Sequence, residues 1–487
     1  MTSKPLGSSN HYCADNDDVL GTADATALAA EIGAGHISAA EAMDAAIARV
    51  QRADPVLHAI ACERFDAARQ EAAQVNVKPG DATPFAGVPS VIKDNTDLAG
   101  LPTVHGSRAV KPRAAKADAA FARQFMATGL IPLAKTRLPE FGLTATTEYV
   151  ADEPVHNPWN LAHSAGGSSG GSAALVASGA LPIAHANDGG GSIRIPAACC
   201  GLVGLKVSRG RIVDHALAKN LPINLIADGV VSRSVRDTAH FFAGAEHYYR
   251  NRKLPALGLV EGPGKRRLRI GFYTELPNGQ AADSECVAAV HQAAGLCEEL
   301  GHSVEQTASP LTARMVDHFM LYYGLMSGGL TWGGRWLVGP GFDQSKLDPL
   351  TRQFATYFRR NLHHMPAAML SLRRAGQAVA RQHERYDLLL TPTLGHPPPE
   401  LGWLRPDLPF EQAWERLPAF AGFTPLANAL GTPSITLPLA RNAGGLPIGV
   451  QFGAPAGDEH NLLELAYGLE QASSQLAGVA AFTSRPR

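Results

Sequence analysis

Two glycine-rich loops that contain serine carry the clearest chemical signal in the sequence. They cover residues 166–172 and 189–192, and a helix of small residues is predicted between them at about 172–180. Glycine lets the backbone turn several N–H groups toward one point, where a phosphate or the oxyanion of an acyl-transfer reaction can bind. The loops lack the lysine of a P-loop, the acidic residue of a dinucleotide-binding motif and the G-x-S-x-G of a nucleophile elbow. Binding of an oxyanion is the interpretation that remains.

A serine in such a loop becomes a nucleophile only when a base removes its proton. The chain has 18 histidines, the usual bases, but His163 and His185 near the loops are expected to be core or solvated residues. His363 and His364 are adjacent and no H-E-x-x-H motif occurs, so neither zinc hydrolysis nor another metal site is expected. Lys93 is the better candidate base, because it follows an apolar run and an ammonium drawn into the interior loses proton affinity.

Three motifs resemble those of the amidase signature family of serine hydrolases. They are GVPSVIKDNTDLAG from residue 87, GGSSGGSAA from residue 166 and DGGGSIRIPAACCGLVGLK from residue 188. The similarity covers most of the chain, including HNPWN at 156–160, and is weakest at 308–425. Within the family, the chain looks closest to the branch of the 6-aminohexanoate cyclic-dimer hydrolases and to related urethane-cleaving hydrolases (urethanases).

The resemblance implies a catalytic triad and an oxyanion hole. Ser192 corresponds to the nucleophile, Ser168 to a bridging serine that the family holds after a cis peptide bond, and Lys93 to the base. The oxyanion hole is expected to use the backbone N–H groups of three glycines, Gly189, Gly190 and Gly191. The implied reaction is hydrolysis of the C–N bond of a small-molecule amide or carbamate through an acyl-enzyme, without a cofactor.

The resemblance also places Leu143 and Thr144 in the pocket for the acyl group. Leu143 stands where the cyclic-dimer hydrolases have a polar amide side chain, which favours a more apolar acyl or carbamate group. Closely spaced aromatic residues further along are interpreted either as core packing or as the lid or wall of an apolar pocket: Phe319, Tyr322, Tyr323, Trp332 and Trp336. We therefore expect a fairly large, partly aromatic substrate such as an aryl carbamate.

Other polar residues of the motifs are expected to support the structure rather than to react. Ser169 and Ser172 are interpreted as hydrogen-bonding residues within their loop. Asp188 and Arg194, on either side of Ser192, are expected to form an ion pair that fixes the nucleophile loop.

Alternating strands and helices must position these residues. Two helices are predicted in 24–52, where Ser38 and Glu41 have the spacing of a capping box, and a buried strand is predicted at 85–93. Strand and helix signals continue to alternate as far as 434–439, which predicts an α/β fold with a mixed or parallel sheet. The resemblance makes this the amidase signature fold, a central mixed β-sheet covered by helices on both faces.

The predicted domain organisation follows from the same comparison of motifs. An N-terminal helical segment, 1–60, is expected to precede one amidase signature α/β domain at 61–487. Within that domain, the region at about 308–425 is expected to be a variable helical part of the substrate pocket.

Composition and charge exclude several classes of protein. A hydrophobic content of 45% and a net charge of −1 exclude a disordered chain, a globally basic nucleic-acid binder and a binder of anionic membranes. The six cysteines form no C-x-x-C pair, and the N-terminus has no apolar core for a signal peptide. The longest uncharged stretch, 164–187, is glycine-rich and contains Pro182, so it makes a poor membrane helix. We therefore expect reduced thiols and a cytoplasmic location.

Three alternatives to an independent amidase or urethanase stay open. One is a subunit of a tRNA-dependent amidotransferase, which needs partner chains and an ammonia source. Another is a 6-aminohexanoate cyclic-dimer (nylon oligomer) hydrolase. The third is a non-catalytic binding protein, which the presence of Lys93, Ser168 and Ser192 disfavours. A homodimer is also left open.

Overall fold

An eight-stranded mixed β-sheet forms the centre of the fold in the computed structural model, which describes residues 10–14, 17–77, 83–310 and 312–475. The first nine residues, part of the segment interpreted as lacking a signal peptide, lie outside the described residues. The helices of the described chain are Ala25–Gly33 (α1), Ala39–Leu57 (α2), Phe65–Ala73 (α3), Ala120–Met126 (α4), Gly170–Ala177 (α5), Arg194–Cys200 (α6), Val235–Tyr248 (α7), Ser284–Glu299 (α8), Ala313–Leu337 (α9), Pro349–Asn361 (α10), Met365–Arg385 (α11), Phe410–Ala421 (α12), Pro425–Leu430 (α13) and Glu459–Gln475 (α14). The strands are Ile60–Glu63 (β1), Pro89–Lys93 (β2), Ile131–Thr136 (β3), His156–Asn157 (β4), Asn160–Ser164 (β5), Ile183–Asp188 (β6), Val203–Lys206 (β7), Ala227–Ser232 (β8), Arg269–Phe272 (β9), Ser303–Gln306 (β10), Leu388–Pro392 (β11), Ser434–Arg441 (β12) and Pro447–Gly453 (β13).

The large sheet has the strand order β10-β9-β11-β13-β12-β7-β8-β6. Strand β9 pairs in parallel with β10 and β11, whereas the other pairs of this sheet are antiparallel. A three-stranded sheet has the order β1-β3-β2, and β4 pairs with β5 as a hairpin. The predicted α/β class with a mixed sheet is confirmed.

Several strands are buried along their whole length, among them β6, β7, β8 and β11. Strands covered on both faces are mostly continuous apolar runs, as in the LLLTP of β11. Strand β6 departs from this pattern, because its sequence IAHAND brings His185, Asn187 and Asp188 into the interior. Buried polar groups need hydrogen-bond partners, so β6 marks the place where polar side chains must meet.

The local signals that place the first helices and the lysine strand are largely present in the structure. The side chain of Ser38 accepts a hydrogen bond from the N–H of Glu41, and the Glu41 carboxylate accepts one from the N–H of Ser38, which confirms the capping box. The strand predicted from residue 85 begins at Pro89 instead. A turn precedes it, in which the N–H of Val88 donates to the carbonyl of Phe85 and Gly87 has a φ of +82°.

The two sheets bring three motif segments together. Lys93 ends β2, Ser168 precedes α5, and Ser192 lies in the turn between β6 and α6. Strand β2 lies beside β6, where the hydroxyl of Ser90 donates to the carbonyl of Ile183 at 2.8 Å. The glycine-rich loops therefore surround the end of the lysine strand.

Helices α9 to α13 form a layer over this end of the molecule. Helix α9 packs against α10 and α11, and α13 packs against α11. Among the described residues, no helix is both long enough and apolar enough to cross a membrane.

Helix α5 approaches its neighbours closely because it begins with glycine. A Cβ atom on Gly171 would lie 2.6 Å from the carbonyl oxygen of Ala59 and 2.8 Å from that of Arg137. Both contacts are with backbone atoms, which cannot move aside as a flexible side chain can. The glycine thus sets the distance between the helix that follows Ser168 and the chain around β1 and β3.

We predict that Gly171→Ala lowers the free energy of unfolding by about 1–3 kcal/mol, because the added methyl group overpacks this contact. The matched control is Gly295→Ala in α8, where a Cβ would meet nothing within 4 Å. That control should be neutral or stabilising by up to about 1 kcal/mol, since alanine favours a helix. Urea denaturation of both variants measures the difference. Equal stability of the two would show that the close approach at Gly171 does not constrain the fold.

Candidate active site

Lys93 is completely buried and its amine is surrounded by neutral oxygen atoms. Its Nζ donates to the hydroxyl of Ser168 at 2.7 Å, to the hydroxyl of Ser169 at 2.9 Å and to Oδ1 of Asn187 at 2.7 Å. Burial lowers the pKa of Lys93 to about 7, although the carboxylates of Asp228 and Asp188 oppose this. At neutral pH, a large fraction of this amine is therefore uncharged and can accept a proton.

A histidine and a carboxylate lie behind the lysine. The backbone N–H of Lys93 donates to Nδ1 of His185 at 3.1 Å, so the proton of this ring is on Nε2, which lies 3.2 Å from Oδ1 of Asp228. Burial lowers the pKa of His185, which keeps the ring neutral. Asp228 is thus bonded to a neutral ring rather than to the lysine amine, and no described carboxylate forms an ion pair with that amine.

The first glycine-rich loop presents the hydroxyl of Ser168 to this amine. The peptide bond between Gly167 and Ser168 is cis. A Cβ on Gly167 would lie 2.8 Å from the backbone nitrogen of Thr146, so this position has no room for a side chain. Next to it, the hydroxyl of Thr147 donates to the carbonyl of Gly166 at 2.8 Å and ties the loop to the 144–147 segment.

The second loop, which carries Ser192, is held by a buried ion pair. Arg194 Nε donates to Oδ2 of Asp188 at 2.9 Å, and the N–H of Gly191 donates to Oδ1 of Asp188 at 2.6 Å. Burial alone would favour a neutral carboxyl group, but the Arg194 guanidinium lowers the pKa of Asp188 to about 2. The ion pair expected at these positions is present, and it fixes both sides of the turn.

Two residues of the helical layer brace the same loop. The side-chain amide of Asn428 in α13 donates to the backbone carbonyl of Asp188 at 2.9 Å and to its carboxylate at 2.8 Å. The hydroxyl of Thr424 donates to the carbonyl of Gly190 at 2.7 Å. Gly191 has a φ of +130°, and a Cβ there would lie 2.2 Å from the Thr424 hydroxyl, so only glycine fits.

These contacts leave particular N–H groups of the loop available to a ligand. The N–H of Gly191 is already bonded to Asp188. The N–H groups of Gly189, Gly190 and Ser192 donate to no described residue. Three such donors within four residues of one loop can bind an oxyanion.

Ser192 lies at the boundary between the polar cluster and a cavity. Its carbonyl accepts a hydrogen bond from the hydroxyl of Ser169 at 2.6 Å, and Ser169 also contacts Lys93. Its own hydroxyl makes no hydrogen bond to any residue that the structure describes, and Ser192 lines the cavity. The structure therefore joins Lys93 directly to Ser168, and it joins Ser192 to them through Ser169.

The cavity next to Ser192 is apolar, and no charged side chain lines it. Its walls come from the 144–145 segment, the nucleophile loop and helices α9, α11, α12 and α13. Of the two residues predicted for the acyl pocket, Thr144 lines this cavity. Leu143 is buried beside it but is not part of the lining.

The aromatic residues of α9 divide among the core, the cavity and the surface, and Tyr322 is the one fully buried in the core. Phe319 and Tyr323 line the cavity, and the hydroxyl of Tyr323 donates to the carbonyl of Gly142 at 3.0 Å. The pocket-wall interpretation therefore holds for these two. Trp332 and Trp336, two and a half turns or more further along α9, are 59% and 93% exposed, and neither lines the cavity.

Sequence reasoning missed several residues of the polar cluster. Ser169 was expected to be structural only, yet its hydroxyl contacts the lysine amine as well as the Ser192 carbonyl. His185 and Asn187 alternate along β6, so both point to the same face of the sheet, toward Lys93. This period of two among buried polar residues was the signal that could have identified them.

Comparisons with known proteins agree with this geometry. The family model described as Amidase matches residues 41–463. A Mycobacterium tuberculosis protein named "Putative amidase AmiC" is 46% identical over 457 residues, which are 94% of this chain and 96% of the relative. The structure of 6-aminohexanoate cyclic dimer hydrolase complexed with substrate is 31% identical, with a TM-score of 0.83 over 96% of this chain and 99% of that one. A bacterial aryl acylamidase of the amidase signature family is 25% identical, with a TM-score of 0.80 over 96% and 99%.

The family model covers most of the chain, and the solved structures share its fold over nearly their full length. The family and the amidase signature fold predicted from the glycine-rich motifs are thereby confirmed. The chain belongs to the amidase signature family and is an amide hydrolase.

Proposed function

We propose that the protein hydrolyses amides and carbamates with an apolar acyl side, using Ser192 as nucleophile, Ser168 as bridging group and Lys93 as base. The observation that carries this proposal is the buried Lys93 amine, whose Nζ lies 2.7 Å from the Ser168 hydroxyl and pairs with no described carboxylate. A neutral amine at this place can take up the proton that a serine must lose.

The proposed acylation step moves one proton along the three residues. Neutral Lys93 accepts the proton of Ser168 as Ser168 accepts that of Ser192, and the Ser192 oxygen bonds to the substrate carbonyl carbon. The carbonyl oxygen becomes an oxyanion that the N–H groups of Gly189, Gly190 and Ser192 stabilise. Because the N–H of Gly191 is already bonded to Asp188, we exclude it from the oxyanion hole expected from the motif.

Collapse of this intermediate breaks the C–N bond. Amines leave poorly unless they are protonated, so Ser168 donates a proton to the leaving nitrogen and is reprotonated by the Lys93 ammonium. Water then attacks the acyl-enzyme, with its proton passing through Ser168 to Lys93, and Ser192 regains a proton as the acid is released. With a carbamate, the same cycle releases an amine and a carbonate half-ester.

The cavity supports an apolar group on the acyl side of the substrate. A charged end buried there would have no partner among the lining residues, and burying an unpaired charge is costly. One structural relative is a hydrolase of the cyclic 6-aminohexanoate dimer and another is an aryl acylamidase. The apolar lining supports a substrate more like that of the aryl acylamidase, including aryl carbamates, than a linear oligomer with charged ends.

We predict that Ser192→Ala lowers kcat by about 10⁴-fold or more on an aryl amide, because the nucleophile is lost. Lys93→Ala should be similarly inactive at neutral pH and recover activity only at high pH, where hydroxide replaces the base. The control is Ser178→Ala, a buried serine at the C-terminal end of α5 that should retain normal turnover. Assays use the isolated chain without glutamine, since an amidotransferase subunit would be inactive there. Full turnover by the Ser192 variant would refute the assignment.

The pKa of Lys93 predicts the pH dependence of kcat/KM. Because the neutral amine is the active form, kcat/KM should be half-maximal near pH 7 and fall about tenfold for each pH unit below that. Asp228→Asn removes a negative charge that favours the ammonium, so the acid limb should move to lower pH. Asp66→Asn, which changes an exposed carboxylate, is the matched control and should leave the profile unchanged. A shift of the Asp228 variant to higher pH would contradict the proposed base.

The apolar cavity predicts a preference between two substrates of equal shape. The heptanoyl and 6-aminohexanoyl amides of one arylamine differ only in a terminal methyl or ammonium group. We expect kcat/KM to be at least about 100-fold higher for the heptanoyl amide, because the ammonium would be buried without a partner. An alkyl N-arylcarbamate with the same leaving arylamine tests urethane cleavage in the same assay. Equal or faster cleavage of the 6-aminohexanoyl amide would contradict the proposed apolar acyl pocket.

A further inference from the structure

Three side chains of the types that bind metal ions lie together outside the apolar cavity. They are His58, Glu153 and His156, and one ligand atom from each lies within 4.8 Å of the other two. His58 is the C-cap residue of α2, whereas Glu153 lies just before β4 and His156 is the first residue of β4. The cluster therefore joins two parts of the chain that are about 95 residues apart in sequence.

The hydrogen bonding of His156 leaves one ring nitrogen available as a ligand. Its Nδ1 lies 2.5 Å from the carbonyl oxygen of Leu161, and a carbonyl can only accept. The proton is therefore on Nδ1, and Nε2 keeps its lone pair. Histidines that bind metal ions usually donate their other N–H to a carbonyl or carboxylate in this way, which fixes the orientation of the ring.

The other two residues are also placed to act as ligands. His58 has a φ of +50°, an uncommon left-handed conformation for a residue with a side chain, and its ring centroid lies 5.6 Å from that of His156. Glu153 is exposed and makes no hydrogen bond to the described residues. Its carboxylate can turn toward the two rings at little cost.

We propose that His58, Glu153 and His156 form a binding site for a divalent transition-metal ion of the Zn²⁺ type, with water completing the coordination. Two imidazoles and one carboxylate are a donor set that Zn²⁺ accepts in a tetrahedral site. At metal–ligand distances of 2.0–2.2 Å, tetrahedral ligand atoms are about 3.4 Å apart. The ligand atoms must therefore close by at most about 1.4 Å, through rotation of the exposed Glu153 side chain and of the half-buried His58 ring.

This site departs from the expectation that the chain has no metal site. That expectation rested on the absence of H-E-x-x-H and on the adjacent pair His363 and His364, whereas the proposed ligands come from segments that only the fold brings together. The ion would be structural, because the cluster shares no residue with the Lys93 cluster or the lining of the apolar cavity.

Binding here would tie the end of α2 to the hairpin that precedes Ser168. His156 pairs with Ser164 across β4 and β5, and the hydroxyl of Ser164 accepts a hydrogen bond from the N–H of Gly166. A metal ion that holds His156 would therefore restrain the chain leading into the first glycine-rich loop. An ion that binds only the folded chain raises its melting temperature.

The experiment uses the full chain after removal of metal ions with a chelator. Titration with Co²⁺ should produce visible absorption bands of a low-coordinate site, and Zn²⁺ should bind with a dissociation constant on the order of 10⁻⁶ M. A hundredfold excess of Zn²⁺ over this constant should raise Tm by about 2–5 °C. Glu153→Gln and His156→Gln should each remove one equivalent of binding and the rise in Tm.

The matched control is His36→Gln, which changes an exposed histidine that pairs with a single carboxylate, Glu31. This variant should bind Co²⁺ and Zn²⁺ as the unaltered chain does. Because Glu153 is exposed, Glu153→Gln should fold normally. This variant therefore tests the proposed metal site even if His156→Gln is unstable. The proposal is overturned if the chain shows no Co²⁺ bands, or if Glu153→Gln binds Zn²⁺ with unchanged stoichiometry and affinity.

Discussion

The site depends on a lysine amine that is held in the interior without a carboxylate bonded to it. A pKa lowered from the ordinary value of 10.5 to about 7 means that the protein disfavours the ammonium by about 5 kcal/mol relative to water. The neutral fraction at pH 7 is then about 10³-fold larger than that of a free lysine. Only neutral acceptors surround Nζ, namely two hydroxyl groups and one amide oxygen. A carboxylate in place of any of them would restore the ammonium and remove the base.

The arrangement of the buried carboxylates follows from this constraint. The charge of Asp188 is neutralised by Arg194. Its carboxylate accepts hydrogen bonds from the Arg194 guanidinium and from the N–H of Gly191, in the loop that carries Ser192. Asp228 bonds to His185, whose neutral ring accepts a hydrogen bond from the backbone N–H of Lys93. The same distribution of charge thus keeps Lys93 available as a base and holds the nucleophile loop in place. The helical layer adds Asn428 to this network and supplies an apolar cavity beside it.

Much of the fold and part of the site were predictable from the sequence, for identifiable physical reasons. The capping box of α2 and the apolar run of β2 are local signals, so they were found without knowledge of the fold. The glycine-rich loops were recognisable because close backbone approach requires glycine, as at Gly167 and Gly191. Residues that act through side-chain direction or distant contacts were not predictable. Ser169 looked like any loop serine, and Asn428 reaches Asp188 from 240 residues further along the chain.

The helices that form the cavity carried no motif, so their aromatic residues could be counted but not placed. Phe319 and Tyr323 line the cavity, whereas Trp336 on the same helix is almost fully exposed. Spacing along one helix does not tell which face the neighbouring helices will cover. The cluster of His58, Glu153 and His156 could not be found from the sequence, because its members are adjacent only in the folded chain.

The most direct test of the central claim is a crystal structure of the adduct formed with a fluorophosphonate probe. Our account predicts phosphorus bonded to Oγ of Ser192, with Ser168 Oγ within hydrogen-bonding distance of both that oxygen and the Lys93 amine. The phosphoryl oxygen should accept hydrogen bonds from the N–H groups of Gly189 and Gly190. Labelling of a different residue, or a Lys93 amine turned away from Ser168 to bond a carboxylate, would contradict it.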